Sequence, residues 1–245
     1  MIGLGTLINV LAIVVGASAG VLIGHRLPER TRSTVTDALG LITMVIGALN
    51  VVAITDTDFV AVVGSSWTLL VVLGAVVIGG VAGSLLRIEA RLESFGGWLQ
   101  RRLSRDSSSE ARERFLEGFV TSSLLFGIGP LAILGSLNDG LGNGIEQLTL
   151  KSSLDLFAAL AFAASLGWGV AFSAVPVGIW QGLLTIVGVA AGTLLPEALI
   201  ASITATGGIL LLGIGLRLLN IRQVPVGDLL PALLVAPLLT SLFLL

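Results

Sequence analysis

Apolar residues run along this chain in long unbroken stretches, and short segments between them hold nearly all of the charge. The stretches do not alternate with period two, and they lack the polar face of a helix lying on a soluble core. About 20 apolar residues in helical form cross the roughly 30 Å of a bilayer's hydrocarbon. On that measure the pattern predicts eight membrane-spanning helices, at residues 2–24, 39–55, 67–86, 115–137, 154–172, 177–195, 199–219 and 229–245. A closed barrel would need alternating apolar and polar positions, which are missing. The predicted fold is therefore all-α and polytopic. The first stretch does not read as a cleaved signal: Met1 to Val10 carry no basic residue and the run is of full spanning length.

Composition agrees. Hydrophobic residues make up 55% of the 245 and charged residues 11%, against roughly 25% charged in an ordinary globular chain. So few charges cannot clothe a soluble protein of this size, which excludes most soluble-enzyme classes. There is no cysteine, hence no disulfide or thiolate chemistry.

The placement of charge then sets an orientation. Arg26, Arg30 and Arg32 follow the first span, seven arginines lie between Arg87 and Arg114, and Arg217 and Arg222 precede the last span. Across eight alternating spans all of these fall on one side, leaving Lys151 as the one base opposite. Arginine-rich short loops stay in the cytoplasm, so both termini are expected outside the cytoplasm of a bacterial inner membrane. The opposite loops carry acids at Asp56, Asp58, Asp139, Glu146 and Glu197. Running into and along this segment, Leu85, Leu86, Ile88, Leu92, Phe95, Trp98, Leu99 and Leu103 recur at helical spacing among charges. This predicts an amphipathic connector on the inner membrane surface. Asp106 to Ser109 reads as a loop and then an N-cap.

An internal repeat is also legible. Gly16 and Gly20 in the first span match Gly188 and Gly192 in the sixth, and Leu27-Pro28-Glu29 matches Leu195-Pro196-Glu197. Counting from each proline, Gly40 matches Gly208 and Gly47 matches Gly215. The first and sixth spans run in opposite directions, so this is an inverted-topology repeat, an architecture shared by many secondary transporters. It divides the chain into a first helical repeat (1–86), the connector (87–114), a central pair of spans (115–176) and a second repeat (177–245). The spaced glycines equally suit close helix packing, within one chain or across a homodimer through the first or sixth span.

The central pair carries the candidate chemistry. Gly127, Gly129 and Pro130 interrupt the fourth span, and Gly167 and Gly169 the fifth. Proline removes a backbone donor and glycine weakens a helix. Such breaks are either kinks with close packing or discontinuous helices that present their ends to a substrate. A hydroxyl pair precedes each: Ser122 and Ser123, Ser152 and Ser153. Lys151 and Asp155 are one turn apart and share a helix face. Their meaning depends on depth, since a carboxylate far into the membrane costs roughly 2.5–3.5 kcal/mol. At the surface they are an interfacial pair; deeper, they form a cation or proton site. Asn9 and Gln181 are polar groups in the two repeat-related spans. The candidate substrate- or ion-binding residues are thus Ser122, Ser123, Gly127, Gly129, Pro130, Lys151, Ser152, Asp155, Gln181 and Asn9.

Residues 118–182 resemble a known family. The matching pieces are Phe126 with Gly129-Pro-Leu-Ala-Ile-Leu-Gly-Ser136, Asp139-Gly140-Leu141, Lys151-Ser152 with Asp155, Gly169-Val170, Ser173-Ala174, Pro176 and Gln181-Gly182. The chain resembles the YqgA-like bacterial membrane proteins, domain of unknown function 554, with Gly5, Asn9, Gly16 and Gly20 matching the family's start. Leu131 and Asn138 depart from the methionine and glutamine that the pattern leads one to expect. The resemblance implies an inner-membrane protein of transporter-like character and no particular activity.

Three functions compete at this level. A small gradient-driven transporter or channel-like permease for an ion or small solute fits the repeat and the interrupted spans. A non-transporting scaffold or sensor would use the connector to dock a partner. An intramembrane enzyme is the weakest: the single histidine, His25, stands at an interface, no cluster of residues suits a catalytic metal, and a serine–lysine site is conceivable only from Ser122 or Ser152 with Lys151. No cofactor and no nucleic acid is implied; the partner is the lipid bilayer.

Overall fold

A computed structural model describes the chain except for residues 1, 25, 27, 92–93, 95–108, 128–129, 192–195 and 245. Most of the amphipathic connector, the cap expected at 106–108, His25, Gly129 and Gly192 lie outside the described residues. Among the described residues the structure is helical with no strand. In a membrane this follows from the backbone, because a helix satisfies its own N–H and C=O groups where no water does.

Among the described residues, six helices are long and apolar enough to cross a membrane: Leu4–Gly24, Ser33–Thr55, Thr68–Leu86, Glu146–Leu166, Gly169–Ala190 and Glu197–Leu218. A seventh crossing results if Ala111–Gly127 and Leu131–Leu141, whose axes differ by 59°, are taken as one bent span. The expected eighth span is a shorter apolar segment, Val226–Ser241, in which the helices on either side of Pro231 are separate.

Two compact units interleave along the sequence. The first comprises Met1–Leu39 and Glu93–Leu194; the second comprises Gly40–Leu92 and Leu195–Leu245.

The first unit holds α1 (Leu4–Gly24), the start of α2 (Glu29–Val51) and the long run from α5 to α9. These are α5 (Ser109–Gly127), α6 (Pro130–Leu141), α7 (Glu146–Leu166), the single turn α8 (Gly169–Phe172) and α9 (Ala174–Ala191). α1 and α7 lie side by side and parallel. A methyl group added at Gly16, Gly20 or Gly24 would sit 2.2, 2.2 and 2.3 Å from the carbonyl oxygens of Leu156, Leu160 and Ala164. The matched steps of four show that the glycine stripe is a backbone-to-backbone seam, where van der Waals packing binds helices that lipid does not push together. Gly188 of α9 is closed in the same way against Leu137 of α6. The glycine faces expected to serve a homodimer are thus used within the chain at Gly16, Gly20 and Gly188.

The fifth span differs from its predicted bounds. It runs Glu146–Leu166, not 154–172, and Gly167 closes it with φ +78°. The Gly167–Gly169 segment is accordingly the turn between two spans, not an interruption inside one. The apolar run hid the turn because a corner made of Gly-Trp-Gly carries no charge.

The second unit holds the rest of α2, a 3-10 turn (Val52–Thr55), α3 (Thr57–Val63), α4 (Thr68–Leu86), α10 (Glu197–Leu218), α11 (Val226–Leu229) and α12 (Ala232–Ser241). Asp56 caps α3, accepting from the amides of Asp58 and Phe59 at 3.0 and 3.1 Å. Phe59, Val63, Val71, Val72, Ala198, Ala201 and Ala205 form its core. α2 and α10 pack antiparallel through Gly40, Gly47, Gly208 and Gly215. At one end, Glu89 accepts from Arg217 Nη1 at 2.5 Å and from the Gly227 amide at 2.5 Å, while its own amide donates to Asp228 Oδ1 at 2.9 Å.

Candidate substrate-binding site

The site belongs to the first unit and is built on α1, α5, α7 and α9. Its centre is set by where α7 begins. Starting at Glu146, and at 1.5 Å per residue, the helix carries Lys151 about 8 Å and Asp155 about 14 Å along its axis of about 31 Å. Asp155 therefore stands near the middle of the helix and Lys151 one turn before it, whereas bounds beginning at 154 would put the pair at the helix start. Both residues are buried, at 6% and 7% exposure. Lys151 Nζ donates to Asp155 Oδ2 across one turn of α7. The same ammonium lies 5.9 Å from the centroid of the Phe126 ring of α5, within cation–π range.

Two amides complete the arrangement. Asn9 of α1 and Gln181 of α9 are both fully buried, and Asn9 Nδ2 donates to Gln181 Oε1 at 3.2 Å. The Asn9 amide is also within hydrogen-bonding reach of the Asp155 carboxylate. The glycine seam makes this possible, because Asn9 lies seven residues before Gly16 along α1 and the close approach to α7 carries it to Asp155. On the far side of each amide a group is left over: Asn9 Oδ1 and Gln181 Nε2 are buried with no hydrogen-bond partner. Ser122, one turn before Phe126 on the same face of α5, is fully buried, and its Oγ has no partner either. Buried polar atoms are normally satisfied, and leaving one unmade costs about 1–3 kcal/mol. Asn9 and Gln181 leave two such atoms beside the ion pair, and Ser122 leaves a third on the helix that brings Phe126 to Lys151.

Five of the ten residues singled out from sequence meet here: Asn9, Ser122, Lys151, Asp155 and Gln181. The others do not. Ser123 Oγ donates to the Phe119 carbonyl at 2.5 Å, and Ser152 Oγ to the Leu148 carbonyl at 2.6 Å, so each hydroxyl is spent on its own helix. Gly127 ends α5, and a methyl there would meet nothing nearer than Trp180 at 3.9 Å. Pro130 opens α6, and Gly129 lies outside the described residues. Among the described residues no group of three or more His, Asp or Glu is placed to hold a metal ion.

Three further residues of this unit were not among the candidates. Phe126, named above only as a piece of the family resemblance, is a cation–π partner of Lys151. Thr6, three residues before Asn9, has a buried and unpartnered Oγ1. Asp139, read as a loop acid, is a residue of α6 with 2% exposure. It caps α1, accepting from the amides of Gly3 and Gly5 at 3.0 Å each, a pairing across 134 and 136 residues that no local pattern announces.

Comparison with known proteins places the chain. A family model described as "Protein of unknown function (DUF554)" matches residues 4–241. The chain belongs to the DUF554 family. One family relative, "Uncharacterized protein YqgA" of Escherichia coli (strain K12), is 32% identical over 236 residues, covering 95% of this chain and 94% of that protein. Another, "Uncharacterized membrane protein YdfK" of Bacillus subtilis (strain 168), is 28% identical over 233 residues, covering 95% and 93%. No solved structure matches. The DUF554 match takes in every residue of the site, and the apolar helices together with the printed name of the second relative make this a membrane protein.

Proposed function

We propose that this DUF554 protein is a small gradient-driven transporter or channel-like permease for an ion or small solute, and not an enzyme. The observation that carries the reading is the buried Lys151–Asp155 pair within an apolar helix, with the unpartnered atoms of Asn9 and Gln181 beside it and that of Ser122 on the helix that carries Phe126. Ionisable residues within membrane spans are costly, and they mark solute or ion pathways more often than packing. An isolated structural pair would be replaced by apolar residues at little or no loss.

Contacts of the kind an inverted repeat would make support the same reading. In an isologous contact, residue i meets the equivalent of j while j meets the equivalent of i. With Gly40 equivalent to Gly208 and Gly47 to Gly215, the observed contacts are crossed in this way. A methyl at Gly208 would meet the Gly47 carbonyl oxygen at 2.6 Å, and one at Gly215 would meet that of Gly40 at 3.1 Å. In the first unit, Asn9 stands seven residues before Gly16 and Gln181 seven before Gly188. Equivalent by the repeat, they bond to each other, as two residues on a pseudo-two-fold axis do. Carriers with inverted repeats bind their solute near the midplane at the repeat interface. The 59° between the axes of Ala111–Gly127 and Leu131–Leu141 is, on this reading, that of a discontinuous helix beside that solute. We place the protein in the bacterial inner membrane, with the arginine-rich segments in the cytoplasm and both termini outside.

The test is flux. Protein reconstituted into liposomes, with protein-free liposomes and Asp155→Asn beside it, is challenged with labelled solutes and ions under imposed proton and sodium gradients. Protein-dependent uptake that Asp155→Asn abolishes is expected. A folded protein that moves nothing across the panel would sink the reading and leave the scaffold or sensor role standing.

A further inference from the structure

We infer that the site takes a small zwitterion of the α-amino acid class, its carboxylate set against Lys151, Gln181 and Ser122 and its ammonium against Asp155 and Asn9. The inference rests on the carrier reading above and narrows its cargo.

Charge comes first. Lys151 and Asp155 cancel, so the site as built is neutral and buried. A bare cation or anion brought into it would be desolvated with no net counter-charge to offset the cost. The cargo that leaves the balance intact is neutral overall.

The leftover hydrogen-bonding atoms are of mixed kind. Gln181 Nε2 can only donate, Asn9 Oδ1 can only accept, and Ser122 Oγ can do either. A cation site would not strand an amide N–H, and an anion site would not strand a carbonyl oxygen. Turning both amides end for end exchanges which residue donates but still leaves one donor and one acceptor free.

A neutral, uncharged solute would match those three atoms and leave the ion pair without employment. A zwitterion uses all of it: its two charges insert between Lys151 and Asp155, replacing one ion pair by two. Between cargoes the two side chains close on each other across one turn of α7, which hides both charges from the lipid. Size follows from the same turn, because Lys151 and Asp155 are only about 6 Å apart along the axis. The cargo therefore carries its charges on adjacent groups, as alanine and glycine do.

The full-length protein in lipid nanodiscs is titrated at neutral pH with alanine, alaninamide, propionate, propionamide, sodium chloride and potassium chloride, with binding read by calorimetry. Alanine is expected to bind at least tenfold tighter than alaninamide, propionate or propionamide. In Asp155→Asn, which leaves Lys151 uncompensated, the order reverses and propionate binds tighter than alanine. Ser122→Ala, a smaller change that keeps the fold if Asp155→Asn does not, weakens alanine several-fold. Propionamide binding as tightly as alanine overturns the assignment, as does a response to alkali cations alone or no response to alanine. Protein-dependent flux of another solute in the liposome assay would then keep the carrier reading alive, whereas failure of that assay removes the carrier reading itself.

Discussion

Neutralising one member of the Lys151–Asp155 pair should cost far more than neutralising both. Lys151→Met leaves a carboxylate without its cation about 14 Å along the span, at a position with 7% exposure. Breaking a buried pair by removing one partner typically costs about 3–5 kcal/mol. The insertion cost of a lone charge at depth, roughly 2.5–3.5 kcal/mol, agrees in size. Asp155→Asn should cost as much by stranding the ammonium, which the ring of Phe126 at 5.9 Å only partly consoles, cation–π attraction being worth about 2 kcal/mol when desolvated. The double variant Lys151→Met/Asp155→Asn removes both charges and should return to within about 1 kcal/mol of the parent. Thermal unfolding in nanodiscs, followed through the four tryptophans, reads all three. For a chain of this size 1 kcal/mol moves Tm by about 2–4 °C, so each single variant should lose on the order of 10 °C and the double variant only a few. The coupling is the signature. Two single shifts that are small and simply add in the double variant would refute the buried pair. The double variant also separates stability from function: it should fold and fail to transport.

The glycine seam gives a sharp contrast. Gly20→Ala puts a methyl 2.2 Å from the Leu160 carbonyl oxygen and should destabilise by about 1–3 kcal/mol through forced helix separation. Gly182→Ala meets nothing within 4 Å and should be neutral or stabilising by up to about 1 kcal/mol, both read by the same melts. Gly167→Ala forces a side chain onto φ +78° and should cost about 1–3 kcal/mol, although nothing crowds the added methyl. Asp139→Ala removes the cap on α1 and should cost about 0.5–2 kcal/mol, with faster amide exchange confined to the first turn of α1; unchanged exchange there would refute the capping role.

The all-helical membrane class and the residue types of the site were legible in the sequence, because membrane insertion is decided segment by segment from local hydropathy; the number and bounds of the spans were not. Asn9, Ser122, Lys151, Asp155 and Gln181 stood out because polar groups are rare in such runs. Local pattern could not decide which of them meet. Ser122 and Ser123 are adjacent and alike on paper, yet helix phase sends one hydroxyl to a buried site and the other back to its own backbone. Nor could hydropathy set the start of α7, since Gly167-Trp-Gly169 is apolar whether it crosses a membrane or turns a corner. Eight residues of register at that end decided whether Lys151 and Asp155 are a surface pair or a buried one. Asn9 and Gln181 are 172 residues apart and Asp139 is 134 from Gly5; helix packing alone joins them, through glycine seams whose partners no local signal names.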